Sequence, residues 1–76
     1  MPKYENGQSE QRINHNFKYH PPKDDQPARY ERIRAKAKEL AILINEDSPA
    51  SREQSLAFTA LEECVMWTNA AIARNE

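Results

Sequence analysis

One aromatic ring and a few cations are the side chains of this chain best suited to meeting a ligand. Tyr19 lies in the string Tyr19-His20-Pro21-Pro22, whose prolines favour an extended or polyproline backbone. A ring on a stiff arm suits stacking against a flat base. It equally suits a staple, with Phe17 and Tyr19 pinning the arm to the helices that follow. Downstream, Arg29, Arg32, Arg34, Lys36 and Lys38 put five cations into ten residues. They cannot share one helical face, and Glu31 and Glu39 are interleaved, so most of the run reads as solvated surface. Arg34 borders an apolar stripe and is placed to meet a phosphate at a groove between subunits. Arg74 complements a helix dipole, and copies of it gathered by assembly would converge on an anion. Trp67, beside Asn69, suits a core or an interface better than a ligand platform.

Other constellations carry less. His15 and His20 stand near Asp24 and Asp25, but no spacing matches a zinc pattern. Cys64 lacks a histidine on its own helix to activate it, and its neighbours Ala60 and Val65 suit a small buried hydrophobe. Glu62 and Glu63 are adjacent, so on a helix they point about 100° apart and do not form a facing acid–base pair. No machinery for hydrolysis is visible, and neither an enzyme, a metal site nor a cofactor is expected.

These residues must be positioned by helices. Residues 1–16 carry few apolar side chains and read as a flexible polar segment. Residues 17–26 read as an extended, proline-rich arm. A helix over about 27–46 is expected, with Pro27 in its first turn and Asp24, Asp25 or Gln26 as cap. Within it Tyr30, Ile33, Ala37, Leu40 and Ile44 follow spacings of 3, 4, 3 and 4, one stripe of a helix. Asn45 to Ala50 reads as a break. A second helix over about 49–74 has two candidate starts. Ser48 caps with Pro49 following, or Ser51 caps with Gln54 completing a capping box. Phe58, Leu61, Val65, Thr68 and Ile72 repeat the same spacings. Two helices with a short connection fold back as an antiparallel hairpin, so the fold class is all-α.

Composition narrows the partners. The chain has 76 residues, 11 Lys plus Arg, 12 Asp plus Glu and 38% hydrophobic residues. Near-neutral charge argues against a nucleic-acid polymer as partner. With one Cys no internal disulfide can form, which fits a reducing compartment. No apolar run approaches the roughly 18 residues a membrane span needs, and no leader is visible. The second helix is apolar around too much of its circumference for one partner helix. Copies of so small a chain are therefore expected to pack together.

Several strings resemble one family. They are Tyr19-His20-Pro21-Pro22, Arg29-Tyr30-Glu31-Arg32-Ile33-Arg34, Ser51-Arg52-Glu53-Gln54-Ser55-Leu56-Ala57, and Ala60-Leu61-Glu62-Glu63 running on to Met66-Trp67-Thr68-Asn69-Ala70-Ala71-Ile72-Ala73-Arg74. Over about residues 17–75 the chain resembles the helical hairpin domain shared by phage anti-CBASS and anti-Thoeris cyclic-nucleotide sponges. Its length favours the compact anti-CBASS type. The resemblance implies a compact homohexamer in the host bacterial cytoplasm. It implies cyclic dinucleotides such as cyclic GMP–AMP bound between subunits, cyclic trinucleotides bound on the symmetry axis, and no cleavage of either. For the dinucleotide site it implies Tyr19 and Arg34, with His20 and Lys23 as neighbours on the arm. For the trinucleotide site it implies Arg74, together with Lys36 where the family carries a small polar residue. The bland alternative is an oligomerising helical scaffold or protein-interaction module.

Overall fold

A computed structural model describes residues 7–76. It contains helices α1 (Gly7–Asn16), α2 (Gln26–Asp47) and α3 (Arg52–Asn75), and no strand among the described residues. α2 and α3 pack together as a helical hairpin. The all-α architecture expected from the periodicity is thus present.

The seam follows the apolar stripes with one correction. On α3, Phe58, Leu61, Val65, Thr68 and Ile72 are all partly covered. On α2, Tyr30, Ile33, Ala37 and Ile44 are partly covered, but Leu40 is 46% exposed and Ala41 takes its expected place. Steps of three and of four both approximate a 3.6-residue turn, so Leu40 and Ala41 compete for one position. The alanine offers less bulk between the two helices, and Leu40 is displaced to the flank.

Local chemistry sets the helix ends. Of the two candidate starts for α3, Ser51 is the one used. Its extended backbone (φ −169°, ψ 171°) lets Oγ accept from the Gln54 amide at 3.1 Å. The expected capping box forms only by half. The Gln54 side chain turns away from the Ser51 amide and donates to the Ser48 carbonyl at 3.0 Å and the Ser48 hydroxyl at 3.1 Å. It thereby closes the hairpin turn rather than the helix start. α2 begins after Asp25, whose side chain makes no capping hydrogen bond and instead pairs with Arg29 at 3.2 Å. Just before it, Asp24 sits at φ 53°, a left-handed conformation that Asp tolerates.

Residues 7–16, read from composition as part of a flexible segment, instead form α1; residues 1–6 of that segment lie outside the described residues. The helix has no apolar stripe of its own. Glu10 in its first turn and His15 in its last suit the helix dipole. Its C-terminal end is tethered where the His15 ring Nε2 donates to the Arg74 carbonyl. A tether to a residue 59 positions away leaves no mark on local composition.

The hairpin has no closed core. Among the described residues no apolar side chain is buried; the one buried residue is Gln26, 3% exposed. The molecule measures 50 × 38 × 13 Å, one helix thick in its shortest direction. It exposes 6451 Å², against about 4,800 Å² for a compact monomer of its 8.8 kDa mass. Leu40, Ile42, Leu43, Leu56, Met66 and Trp67 are all exposed.

Candidate functional site

The arm, the end of α1 and the end of α3 meet around an open cleft of about 500 Å³. His15, Lys18, His20, Lys23, Arg74 and Glu76 line it with nitrogen donors and a single acid. α1 delivers His15 from its last turn, and Pro21 and Pro22 keep the next stretch out of a helix, so His20 and Lys23 pass across the end of α3. The His20 ring Nε2 donates to the His15 carbonyl at 2.9 Å, and the two imidazoles lie edge to face, 4.8 Å apart. Among the described residues neither Lys18 nor Arg74 forms an ion pair.

The cleft's one acid is already engaged. Both terminal nitrogens of Arg29 donate to the Glu76 carboxylate, one of them at 2.9 Å. Gln26 Nε2 donates to the same carboxylate at 3.1 Å, and the Lys23 ammonium donates to the Glu76 carbonyl. The Arg29 hydrogen bonds, then the Gln26 amide, hold the Glu76 carboxyl down at about 2. In return the bonds to Glu76 raise Arg29 further above its ordinary value. With the charge of Glu76 matched by Arg29, the cleft presents a cationic wall suited to a phosphate or another anion.

The residues expected to bind ligand are distributed as follows. His20, Lys23 and Arg74 come together in this cleft, although the first two were expected at the dinucleotide site and Arg74 at the trinucleotide site. Tyr19 lies on the arm, 77% exposed. Arg34 is exposed on α2, at the edge of a shallow groove of about 340 Å³ floored by Ala37, Ala41, Leu61 and Val65. Among the described residues, Tyr19 lines neither this cleft nor the Arg34 groove. Lys36 is exposed and pairs with Glu39 at 3.2 Å. His15, Lys18 and Glu76 belong to the cleft and were not expected there. For Glu76 a signal existed: Gln26 and Arg29, three apart at the start of a helix, can converge on one carboxylate.

A larger cavity, about 670 Å³, opens at the hairpin turn around Leu43, Ile44, Pro49 and Ala57. Its only ionisable lining residues are Asp47 and Glu53, so it is unsuited to phosphate. Among the described residues no three His, Cys, Asp or Glu side chains are grouped to hold a metal ion, and no helix is long and apolar enough to cross a membrane.

A family model described as the Acb2/Tad1 hairpin domain matches residues 9–73, which takes in most of α1, the whole arm, α2 and all of α3 but its last two residues. No curated protein and no solved structure matches the chain.

Proposed function

The chain belongs to the Acb2/Tad1 hairpin family, that of the anti-CBASS and anti-Thoeris sponge proteins, and from this premise we propose that it sequesters cyclic oligonucleotide second messengers. It binds them without cleaving them and so deprives a host anti-phage effector of its signal. The family match over residues 9–73 is the observation that carries this function.

The structure supports it in two ways. A layer one helix thick, with its leucines and Trp67 uncovered, gains most by packing against copies of itself. We take the assembly to be the family's hexamer. Tyr19 and Arg34 are both exposed, and we assign them to one pocket completed between subunits. A cyclic dinucleotide presents two flat bases and two negative charges, and a two-fold axis supplies a ring and a guanidinium twice. Stacking contributes about 1–3 kcal/mol per base. With paired phosphates this is compatible with nanomolar binding, about −12 kcal/mol, which a stoichiometric sponge needs. Arg74, with Lys36, is assigned to the cyclic trinucleotide, and the cytoplasm of the infected host is where such signals would be met.

Titration calorimetry with cyclic GMP–AMP and with a cyclic trinucleotide tests the proposal. Binding of at least one at nanomolar to low micromolar affinity is expected, with intact nucleotide recovered after denaturing the complex. Absence of heat with both ligands at micromolar protein would sink it. The exposed leucines and Trp67 also fit a second reading, an oligomerising scaffold. A stable assembly that binds neither ligand would establish that one instead.

A further inference from the structure

We infer that Glu76 is a positioning residue: it clasps the root of the arm to α3 and so sets where Tyr19 and His20 stand. The inference rests on the sponge reading for its functional half and on geometry alone for its structural half. Residues 19–23 have no regular secondary structure, so side chains must hold the arm. At its N-terminal end the Lys18 amide donates to the His15 carbonyl at 3.4 Å and the His20 ring to the same carbonyl at 2.9 Å. At its root the bonds to α3 converge on one residue. Lys23, Gln26 and Arg29 all donate to Glu76. Gln26 is the most buried residue of the described chain, and its Oε1 also accepts from the Lys23 amide at 3.2 Å. The Glu76 carboxylate thus joins the first turn of α2 to the end of α3, and the Gln26 amide it holds, together with the Glu76 main-chain oxygen, carries Lys23 of the arm.

A stiff arm makes its root decisive. Pro21 and Pro22 lie between Lys23 and Tyr19, and four residues of polyproline backbone span about 12 Å. Loosening Lys23 leaves the stretch that carries the exposed Tyr19 ring held only at the His15 carbonyl, so the ring gains freedom. Ordering the arm in advance removes a cost that each ligand would otherwise meet on binding.

The test uses the full chain with Glu76→Ala, Tyr19→Ala and the double variant. Hydrogen exchange, native mass and cyclic dinucleotide affinity are read on each. In Glu76→Ala the Lys23 and Gln26 amides are expected to exchange faster, while the α2–α3 seam and the assembly mass stay unchanged. Affinity falls about tenfold. Because the clasp acts through the ring, adding Glu76→Ala to Tyr19→Ala gives little further loss, and Glu76→Asp recovers part of the affinity. Unchanged exchange at Lys23 and Gln26 overturns the clasp. Losses that simply add in the double variant overturn its action through Tyr19. If the unaltered chain binds no ligand, the sponge reading fails, and the exchange result still decides the clasp.

Discussion

Replacing Tyr19 by alanine separates a ligand platform from a structural staple. The ring is 77% exposed in the single chain, so its loss removes little packing and should change stability by no more than about 0.5 kcal/mol. Its effect on binding should be far larger. Stacking contributes about 1–3 kcal/mol per base, and the proposed two-fold pocket would use the ring twice, giving a loss of about 2–6 kcal/mol. At about 1.4 kcal/mol per decade, affinity falls by roughly 30-fold to 10⁴-fold. Tyr19→Phe keeps the aromatic face and should retain most of the binding. Calorimetry with cyclic GMP–AMP gives the affinity, and thermal melting on the same samples gives the stability. Unaltered affinity in Tyr19→Ala would refute the stacking role. A melting temperature lowered by several degrees together with altered assembly mass would identify the ring as a staple.

Four further outcomes are expected. Arg34→Ala weakens cyclic dinucleotide binding and spares the trinucleotide, while Arg74→Ala does the reverse; equal losses at both ligands in calorimetry would undo the two-site assignment. Ser51→Ala removes the α3 cap seen at 3.1 Å and costs about 1 kcal/mol per subunit in denaturant unfolding, so an unshifted midpoint would contradict the cap. Gln54→Ala costs at least as much, because it deprives the Ser48 carbonyl and hydroxyl of their donor across the turn, and it should accelerate amide exchange at Ser48; exchange that stays slow would count against that closure. The Glu76 carboxyl is lowered from 4.5 to about 2 by Arg29 and Gln26, so its contribution is complete above pH 4.5 and is lost as pH falls toward 2. Exchange at the Lys23 amide, corrected for intrinsic rate, should rise across that acid range in the unaltered chain and stay flat in Glu76→Gln.

The hairpin was legible because its signals are local. Repeated steps of three and four mark both stripes, Pro27 marks a helix start, Pro49 a break, and Ser51 with Gln54 a second start. Where two local solutions were nearly equal, packing decided, as when Ala41 displaced Leu40 from the seam. Gln54 had two sets of partners available and took those across the turn. α1 was not legible, since its hold is a ring-to-carbonyl contact between His15 and Arg74 rather than an apolar face. The cleft was read only in part. His20, Lys23 and Arg74 were picked out by residue type, but their meeting depends on how the arm crosses the end of α3.

That meeting bears on how a binding site is made from so little chain. A core normally orders side chains around a pocket, and here no apolar residue among those described is buried. Polar contacts take over that task at one end of the hairpin, where Glu76, Gln26, Arg29 and the two histidines order the arm. Such contacts are directional, so they fix a backbone path even at the surface, where apolar contact would leave it loose. The apolar faces are thereby left free for other copies, the occupants that the proposed assembly requires. If this division holds, substitutions at Leu43, Leu56 or Trp67 change assembly mass before they change arm exchange, and Glu76 substitutions do the opposite.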